Sequence, residues 1–156
     1  MGQYIGIGRK ARRCYGFDEI ALAPGKVTIN PTEVDTTWKI DGKKFKVPIL
    51  AAAMDGVVDV KFAIAMGKLG GIAVLNLEGV QTRYEDPDEV LDQLVKADPD
   101  RATEIIQSIY TKPIQEKLIE KRIRQIKQGG ASAVVSAIPQ RAEKFGKIAQ
   151  DAGADI

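Results

Sequence analysis

The sequence predicts an α/β fold in which parallel strands are covered by helices. Residues 48–54 and 72–75 are apolar at every position, and turn residues bound each run. Such runs are typical of strands buried on both faces, because half-buried strands alternate apolar and polar residues. A third apolar run spans residues 131–138. Helical patterns separate the three runs, and this alternation predicts βαβ units.

The segment between the first two runs is predicted to be an amphipathic helix. Asp59 can cap its start, and Gly70 can take the left-handed conformation at its end. Its apolar residues recur at three- and four-residue steps and are Val60, Phe62, Ala63, Ile64, Met66 and Gly67. Ligands of such units bind at the carboxyl ends of the strands. The candidate site therefore lies just after each apolar run.

Residues 1–47 are predicted to form an arm and a β-hairpin, and residues 48–156 the first βα units of one barrel domain. Residues 1–14 mix glycine with basic residues and have no apolar period, which predicts an arm or loop. Residues 6–11 match a dinucleotide fingerprint, but the five residues before them are too few for the strand that this motif requires. The hairpin signal is Asp41-Gly42 between two alternating runs.

Three helices are predicted between the second and third apolar runs. The first two have proline-containing start signals, Asp86-Pro87 and Asp98-Pro99. In the second, the predicted inward side chains are Ile105, Ile106, Ile109 and Tyr110. The third helix spans residues 114–128, and Arg122 lies on its apolar spacing. Arg122 also belongs to a basic run that we expect to be an exposed face interleaved with acids.

The end of the chain predicts one more helix and the start of a strand. Residues 141–152 are helical in pattern, and residues 152–156 are typical of a helix end followed by a fourth strand. A (β/α)8 TIM barrel needs roughly 200 residues or more. We therefore expect a partial barrel of about half that size, either a fragment or split part of a longer protein or the first segment of an interrupted one.

Composition excludes several classes of function. A net charge of +2, with 23 basic and 21 acidic residues, predicts neither nucleic-acid nor membrane binding. The chain has one cysteine and no histidine, so we expect no disulfide framework and no metal site. Cys14 has no histidine to activate it and is expected to be inert. This composition is typical of a soluble, cytoplasmic protein.

Polar residues follow the first two apolar runs and are the candidate site. Met54 ends the first run, Asp55 and Gly56 follow it, and Asn76 and Glu78 follow the second run. Three of them have a structural alternative: Met54 can fill the core, Asp55 can cap or orient a helix entry, and Glu78 can cap a loop. Spacing alone leaves these alternatives open.

Four motifs in order resemble the IMP dehydrogenase and GMP reductase family. They are YGFDEIALAP at 15–24, PILAAAMDGV at 48–57, AIAM at 63–66 and LGGI at 69–72. The resemblance is close over residues 15–78 and looser beyond them. It implies a (β/α)8 barrel, usually a homotetramer, that transfers hydride between NAD or NADP and C2 of a purine ribonucleotide, IMP or GMP.

The resemblance also implies which parts this chain lacks. The family's nucleophilic cysteine, potassium-binding turn and phosphate loop correspond to positions beyond Ile156, and Cys14 does not match the nucleophile. We therefore expect no catalytic residue in this chain and no activity from it alone. The matching positions imply a substrate-binding group of Ala52, Met54, Asp55 and Gly56, and we assign Asn76 and Glu78 to the cofactor. Ala52 replaces a serine found in many dehydrogenases.

Two differences between this sequence and the family pattern leave the direction of the reaction open. Leu77 stands where GMP reductases have a catalytic lysine, which favours an IMP dehydrogenase that forms XMP with NAD. The segment between the second and third strands is too short for the paired regulatory modules of many dehydrogenases, which favours an NADPH-dependent GMP reductase. Two further alternatives are an FMN-dependent barrel oxidoreductase and a non-catalytic half-barrel module that pairs through its open strand edges.

Overall fold

The structure, a computed structural model, describes residues 2–156 and divides the chain into two compact units. The first ends at Asp35, and the second is Thr36–Ile156. The predicted hairpin therefore belongs to the same unit as the parallel sheet. Among the described residues, no helix is long and apolar enough to cross a membrane.

The first unit contains a short antiparallel pair where we predicted an arm or loop. Strand β1 (Gln3–Gly6) pairs with β2 (Arg9–Ala11), and Gly8 turns the chain with a φ of 73°. The pair places the Lys10 ammonium 4.9 Å from the ring centroid of Tyr4. The predicted arm or loop thus contains two short strands that the sequence pattern did not indicate. The fingerprint at residues 6–11 lies in this hairpin and lacks the strand-turn-helix context of a dinucleotide site.

The second unit opens with the predicted hairpin. Strands β3 (Trp38–Ile40) and β4 (Lys43–Phe45) are antiparallel, and Asp41 and Gly42 both have positive φ, 46° and 77°. The Trp38 and Phe45 rings lie 5.4 Å apart. Phe45 packs with the first residues of two sheet strands, so the hairpin covers the amino end of the sheet.

The parallel sheet confirms the order of the three predicted strands. Strands β5 (Leu50–Ala51), β6 (Ile72–Asn76) and β7 (Val134–Ser136) are parallel, with β6 in the centre. Burial on both faces was wrong for β5, because Leu50 is 49 % exposed. Within the described residues, β5 pairs on one side only.

Three helices pack on the sheet and form its main core. They are α1 (Val60–Leu69), α4 (Glu116–Gln128) and α5 (Pro139–Asp151). Helix α1 begins and ends as predicted: the Asp59 carboxylate accepts the Phe62 N–H at 2.6 Å, and Gly70 has a φ of 90°. The largest fully buried core side chains are Leu75, Leu77, Ile119, Ile123 and Ile126.

Two smaller helices lie between β6 and α4. They are α2 (Pro87–Val95) and α3 (Ala102–Thr111), and a single 3-10 turn, Pro99–Arg101, precedes α3. The predicted start of α2 is confirmed, because the Asp86 carboxylate accepts the Glu89 N–H at 3.2 Å. The inward prediction holds for Ile109 but is wrong for Ile106 and Tyr110, each of which is 40 % exposed.

The prediction that the basic run of α4 is an exposed face is wrong for Arg122. Its side chain is buried, and its guanidinium donates to the carbonyls of Gln81, Tyr84 and Glu85 at 2.8–3.0 Å. These carbonyls belong to the loop after β6, so Arg122 anchors that loop to α4. Burial lowers the pKa of Arg122, and nearby carboxylates such as Glu85 oppose this effect.

The last residues lie beside β7, although the structure assigns no strand to them. The Asp155 N–H donates to the Ala133 carbonyl at 2.7 Å, and the Val135 N–H donates to the Ile156 carbonyl at 3.0 Å. The Asp155 carboxylate also binds Lys43 and Lys127, each at 2.8 Å. The chain therefore begins to extend the sheet at the predicted position.

Candidate functional site

A cleft of about 660 Å³ lies at the carboxyl ends of the three parallel strands. It is formed where the loops after β5, β6 and β7 meet the end of α3 and the start of α5. Its lining residues are Ala53, Asn76, Glu78, Arg83, Tyr110, Ser136, Ala137, Ile138, Pro139 and Arg141. The position agrees with the expected ligand site of a βαβ unit.

Asp55 joins three segments around this cleft. Its carboxylate accepts the Val80 N–H at 2.8 Å, the Asn76 side-chain amide at 3.4 Å and the Tyr110 hydroxyl. A Cβ at Gly79 would overlap the Asp55 carboxylate, so the close approach of the β6 loop requires glycine there. Asp55 thus connects the loop after β5, the loop after β6 and the end of α3.

Tyr110 is held as a hydrogen-bond donor. Burial raises its pKa, and so do the hydrogen bond to Asp55 and the charge of that carboxylate, whereas Arg83 lowers it; the pKa reaches about 12. The hydroxyl therefore stays protonated at neutral pH. The sequence pattern placed Tyr110 on the inward face of a helix and contained no sign that it would reach the cleft.

Arg83 holds the end of α3 from the opposite side. Its Nε donates to the Glu78 carbonyl at 3.0 Å, and its Nη1 donates to the carbonyls of Tyr110, at 3.1 Å, and Lys112. Its guanidinium carbon lies 5.4 Å from the centroid of the Tyr110 ring. Sequence reasoning missed Arg83, because a single arginine in a polar loop carries no pattern.

Glu78 has one carboxylate oxygen in the cleft that accepts no hydrogen bond from the described residues. Its side chain is 15 % exposed, and its Oε1 atom is buried without a hydrogen-bond donor among the described residues. The Arg141 Nε lies 3.8 Å from that oxygen, which permits an ion pair but is too long for a hydrogen bond. Sequence reasoning also missed Arg141. It could have been found, because it lies two residues after Pro139, which begins the helix that follows a predicted strand.

The predicted site residues separate into two groups. Asn76 and Glu78 line the cleft, and Ser136, which we took for a barrel-filling residue, lines it as well. Ala52, Met54 and Gly56 are exposed outside this lining, and Asp55 lies behind it. Met54 is 58 % exposed, so it does not fill the core formed by the described residues.

A second cleft of about 470 Å³ adjoins the first. Arg83, Tyr110 and Arg141 line both clefts and so lie between them. In the described part of the chain, no group of three or more histidine, cysteine or acidic side chains could hold a metal ion.

Comparison with known protein families identifies the family of the chain. The IMP dehydrogenase / GMP reductase domain matches residues 14–155. The chain belongs to the IMP dehydrogenase / GMP reductase family. This match extends the resemblance at residues 15–78 over nearly the whole chain.

Family members of known sequence and structure agree with this assignment. An uncharacterized oxidoreductase of Mycolicibacterium smegmatis is 32% identical over 97% of this chain. A crystal structure of an IMP dehydrogenase/GMP reductase-like protein from Corynebacterium glutamicum superposes with a TM-score of 0.81 at 35% identity, over 99% of this chain and 43% of that one. The inosine-5'-monophosphate dehydrogenase of Methanocaldococcus jannaschii is 36% identical over 43% of this chain and 14% of its own length. The chain spans 42% of the length of the M. smegmatis relative.

Proposed function

We propose that this chain is the N-terminal portion of a (β/α)8 barrel oxidoreductase acting on a purine ribonucleotide with a nicotinamide cofactor. The observation that carries the proposal is the cleft at the carboxyl ends of three parallel strands in a chain of this family. In such barrels the loops at this face hold the substrate.

The sheet supports a barrel that is completed by residues outside 1–156. Within the described residues, strand β5 is paired on one side only, and the exposed side chains of Leu50 and of the preceding Ile49 are typical of a strand that needs a further neighbour. At the other edge, Ile156 accepts a hydrogen bond from Val135 of β7, and Asp155 donates to Ala133, the residue before β7. We assign residues 1–47 and 48–156 to a single barrel domain, and a homotetramer to the complete protein.

The loop after β5 is proposed to hold the purine ribonucleotide. Ala52, Met54 and Gly56 are exposed there, and Met54 offers an apolar side chain to the base. Asp55 is committed to three donors, so its role is to hold this loop in place. The substrate-binding group is therefore Ala52, Met54 and Gly56, positioned by Asp55.

The nicotinamide cofactor, NAD or NADP, is proposed to contact Glu78. The buried Glu78 oxygen without a donor fits a hydroxyl or amide N–H of such a ligand. Asn76 accepts the Glu78 N–H at 3.0 Å and donates to Asp55, so it orients Glu78. The cofactor would supply the hydride acceptor or donor. The chain's own residues bind and orient it.

IMP oxidation with NAD is the first candidate reaction, because the position of the reductase lysine is occupied by Leu77, which is 1% exposed and packed in the core. GMP reduction with NADPH is the second. It is favoured by the segment between β6 and α4, which folds as two short helices packed on each other. The cysteine nucleophile and the potassium site are proposed to lie outside residues 1–156.

The test is a pair of assays on the complete protein that contains this chain. We expect nicotinamide absorbance to change with IMP plus NAD, or with GMP plus NADPH, and Glu78→Gln to raise the KM for the cofactor while leaving the KM for the nucleotide unchanged. Glu143→Gln, an exposed position on α5, is the control. Turnover by the isolated 156-residue chain would contradict the proposed location of the nucleophile.

Two results would replace the proposal with an alternative. A bound flavin in the purified complete protein would indicate the FMN-dependent oxidoreductase. Absence of turnover in both directions, together with self-association of the chain through its sheet edges, would indicate the half-barrel module.

A further inference from the structure

The chain between Thr82 and Gln115 leaves the sheet and returns to the same place. The Gln115 N–H donates to the Thr82 carbonyl at 2.8 Å, and its side-chain amide donates to the Arg83 carbonyl at 2.6 Å. We call residues 83–114 the excursion. It has a small core around Val90 and Ile109. The excursion is therefore a closed structural element on the sheet.

The C-terminal end of the excursion is held by Asp55 in the loop after β5 and by Arg83, the first residue of the excursion. Asp55 accepts the hydroxyl of Tyr110, and Arg83 donates to the carbonyls of Tyr110 and Lys112. Hydrogen bonds to charged groups are stronger than those between neutral groups. Both the backbone and the side chain of Tyr110 are thus fixed before any ligand arrives.

One face of the Tyr110 ring is left for a ligand, because the Arg83 guanidinium lies over the other face, 5.4 Å from the ring centroid. Its hydroxyl is occupied by Asp55, so it has no free proton to donate, yet the residue is 40 % exposed and lies between the two adjoining clefts. A rigid aromatic ring offers a large contact area at a low entropy cost. Such a ring suits a planar heterocycle better than a flexible or charged group.

We propose that Tyr110 is a specificity-determining residue whose ring packs against the planar heteroaromatic part of the dinucleotide cofactor, with Asp55 and Arg83 as its positioning residues. This inference rests on the proposed function and names a cofactor contact within it. Tyr110 lines the same cleft as Glu78, which is proposed to contact the cofactor. Its ring is therefore placed to pack against the cofactor. The nucleotide loop after β5 is linked to Tyr110 only through the Asp55 carboxylate among the contacts described above.

The experiment measures dissociation constants of IMP and of NAD and NADPH with the complete protein. Tyr110→Ala is expected to weaken the better-bound dinucleotide by roughly tenfold, as loss of an aromatic contact does, and to leave IMP within about twofold. Tyr110→Phe keeps the ring and loses the Asp55 bond, so a smaller loss of dinucleotide affinity is expected. Tyr84→Phe is the matched control, because it removes a hydroxyl that donates to the Ile109 carbonyl inside the excursion.

The ratio of the dinucleotide affinity to the IMP affinity separates an effect on ligand specificity from an effect on protein stability. A loss of folded protein weakens both ligands by the same factor, whereas loss of the ring changes the ratio. An unchanged ratio in Tyr110→Ala, or an equal change in Tyr84→Phe, overturns the inference and leaves the proposed function standing. Binding of neither dinucleotide nor IMP to the unmodified protein overturns both.

Discussion

Helices α2 and α5 begin in opposite ways. Helix α2 has Asp86 as its cap, Pro87 in its first turn, and acidic residues at the next two positions. Helix α5 begins after Ile138, which offers no side-chain cap, and its first turn contains no acidic residue but does contain Arg141. Acidic groups stabilise the positive end of a helix and basic groups do not. Both helices have a proline in the first turn, but only α2 also has a side-chain cap and an acidic first turn.

The difference follows the location of the cleft. Residues at the start of α5 line it, whereas no described residue of α2 does. Departures from local stability rules concentrate at functional sites. The start of α2 is therefore built for stability, and the start of α5 keeps its positive end and Arg141 facing the cleft.

The largest expected effect tests the stability of the segment that leads into α2. Arg122→Met removes the donor to the buried carbonyl of Gln81 and to the partly buried carbonyls of Tyr84 and Glu85, so we expect a loss of about 3 kcal/mol in the free energy of unfolding. Urea unfolding measures this. Arg124→Met, whose side chain is 60 % exposed, is the control and should change stability by less than about 1 kcal/mol. Equal losses would show that Arg122 has no anchoring role.

The second prediction concerns the residues after α5, where Asp155 stabilises the fold through its hydrogen bonds. Burial raises the pKa of Asp155, but hydrogen bonds from Lys127, Lys43 and the Ala133 N–H outweigh burial and lower it to about 2. A carboxylate with a lowered folded-state pKa stabilises the fold above its ordinary pKa, and this contribution is lost as the pH falls towards 2. Asp155→Asn should remove about 2 kcal/mol at neutral pH.

The pH dependence provides the check on that assignment. Unfolding free energies of the unmodified chain should fall between about pH 4 and pH 2, and Asp155→Asn should flatten part of this fall. Asp151→Asn, at an exposed position near the end of α5, should leave the slope unchanged. Identical slopes in all three proteins would mean that Asp155 is not the titrating group.

The smallest effects test the two helix starts directly. Asp86→Ala should lower stability by about 1 kcal/mol, because the Glu89 N–H loses its acceptor. Ile138→Ser should raise stability by about 0.5 to 1 kcal/mol by adding a cap to α5, and should weaken cofactor binding in the complete protein. Thermal unfolding and cofactor titration give the two values. A gain in both stability and cofactor affinity for Ile138→Ser would contradict the claim that the uncapped start of α5 serves ligand binding in the cleft.

Much of the fold was predictable because its signals are local. The caps Asp59 and Asp86, the Asp41-Gly42 turn and the order of the strand runs were all confirmed. Each depends on the preferences of adjacent residues, which a sequence displays directly. The same reasoning failed for Arg122, since its partners are 37 to 41 residues away in the chain.

The candidate site was predicted only in part for the same reason. Asn76 and Glu78 were found because they follow a strand, and they line the cleft. Arg83 and Tyr110 were not found, because their place there depends on how the excursion returns to the rim. Asp55 was found, but the three donors that occupy it lie 21, 25 and 55 residues further along the chain.

The sequence by itself determined the α/β class, the parallel strand order, the helix caps and the resemblance to the family, since each is encoded in short-range periodicity or in ordered motifs. Only the tertiary structure decided that Tyr110 and Arg83 border the cleft, that Arg122 is buried and that one Glu78 oxygen lacks a donor. These facts depend on contacts between distant segments, where burial and hydrogen-bond geometry, rather than local preference, determine which groups meet.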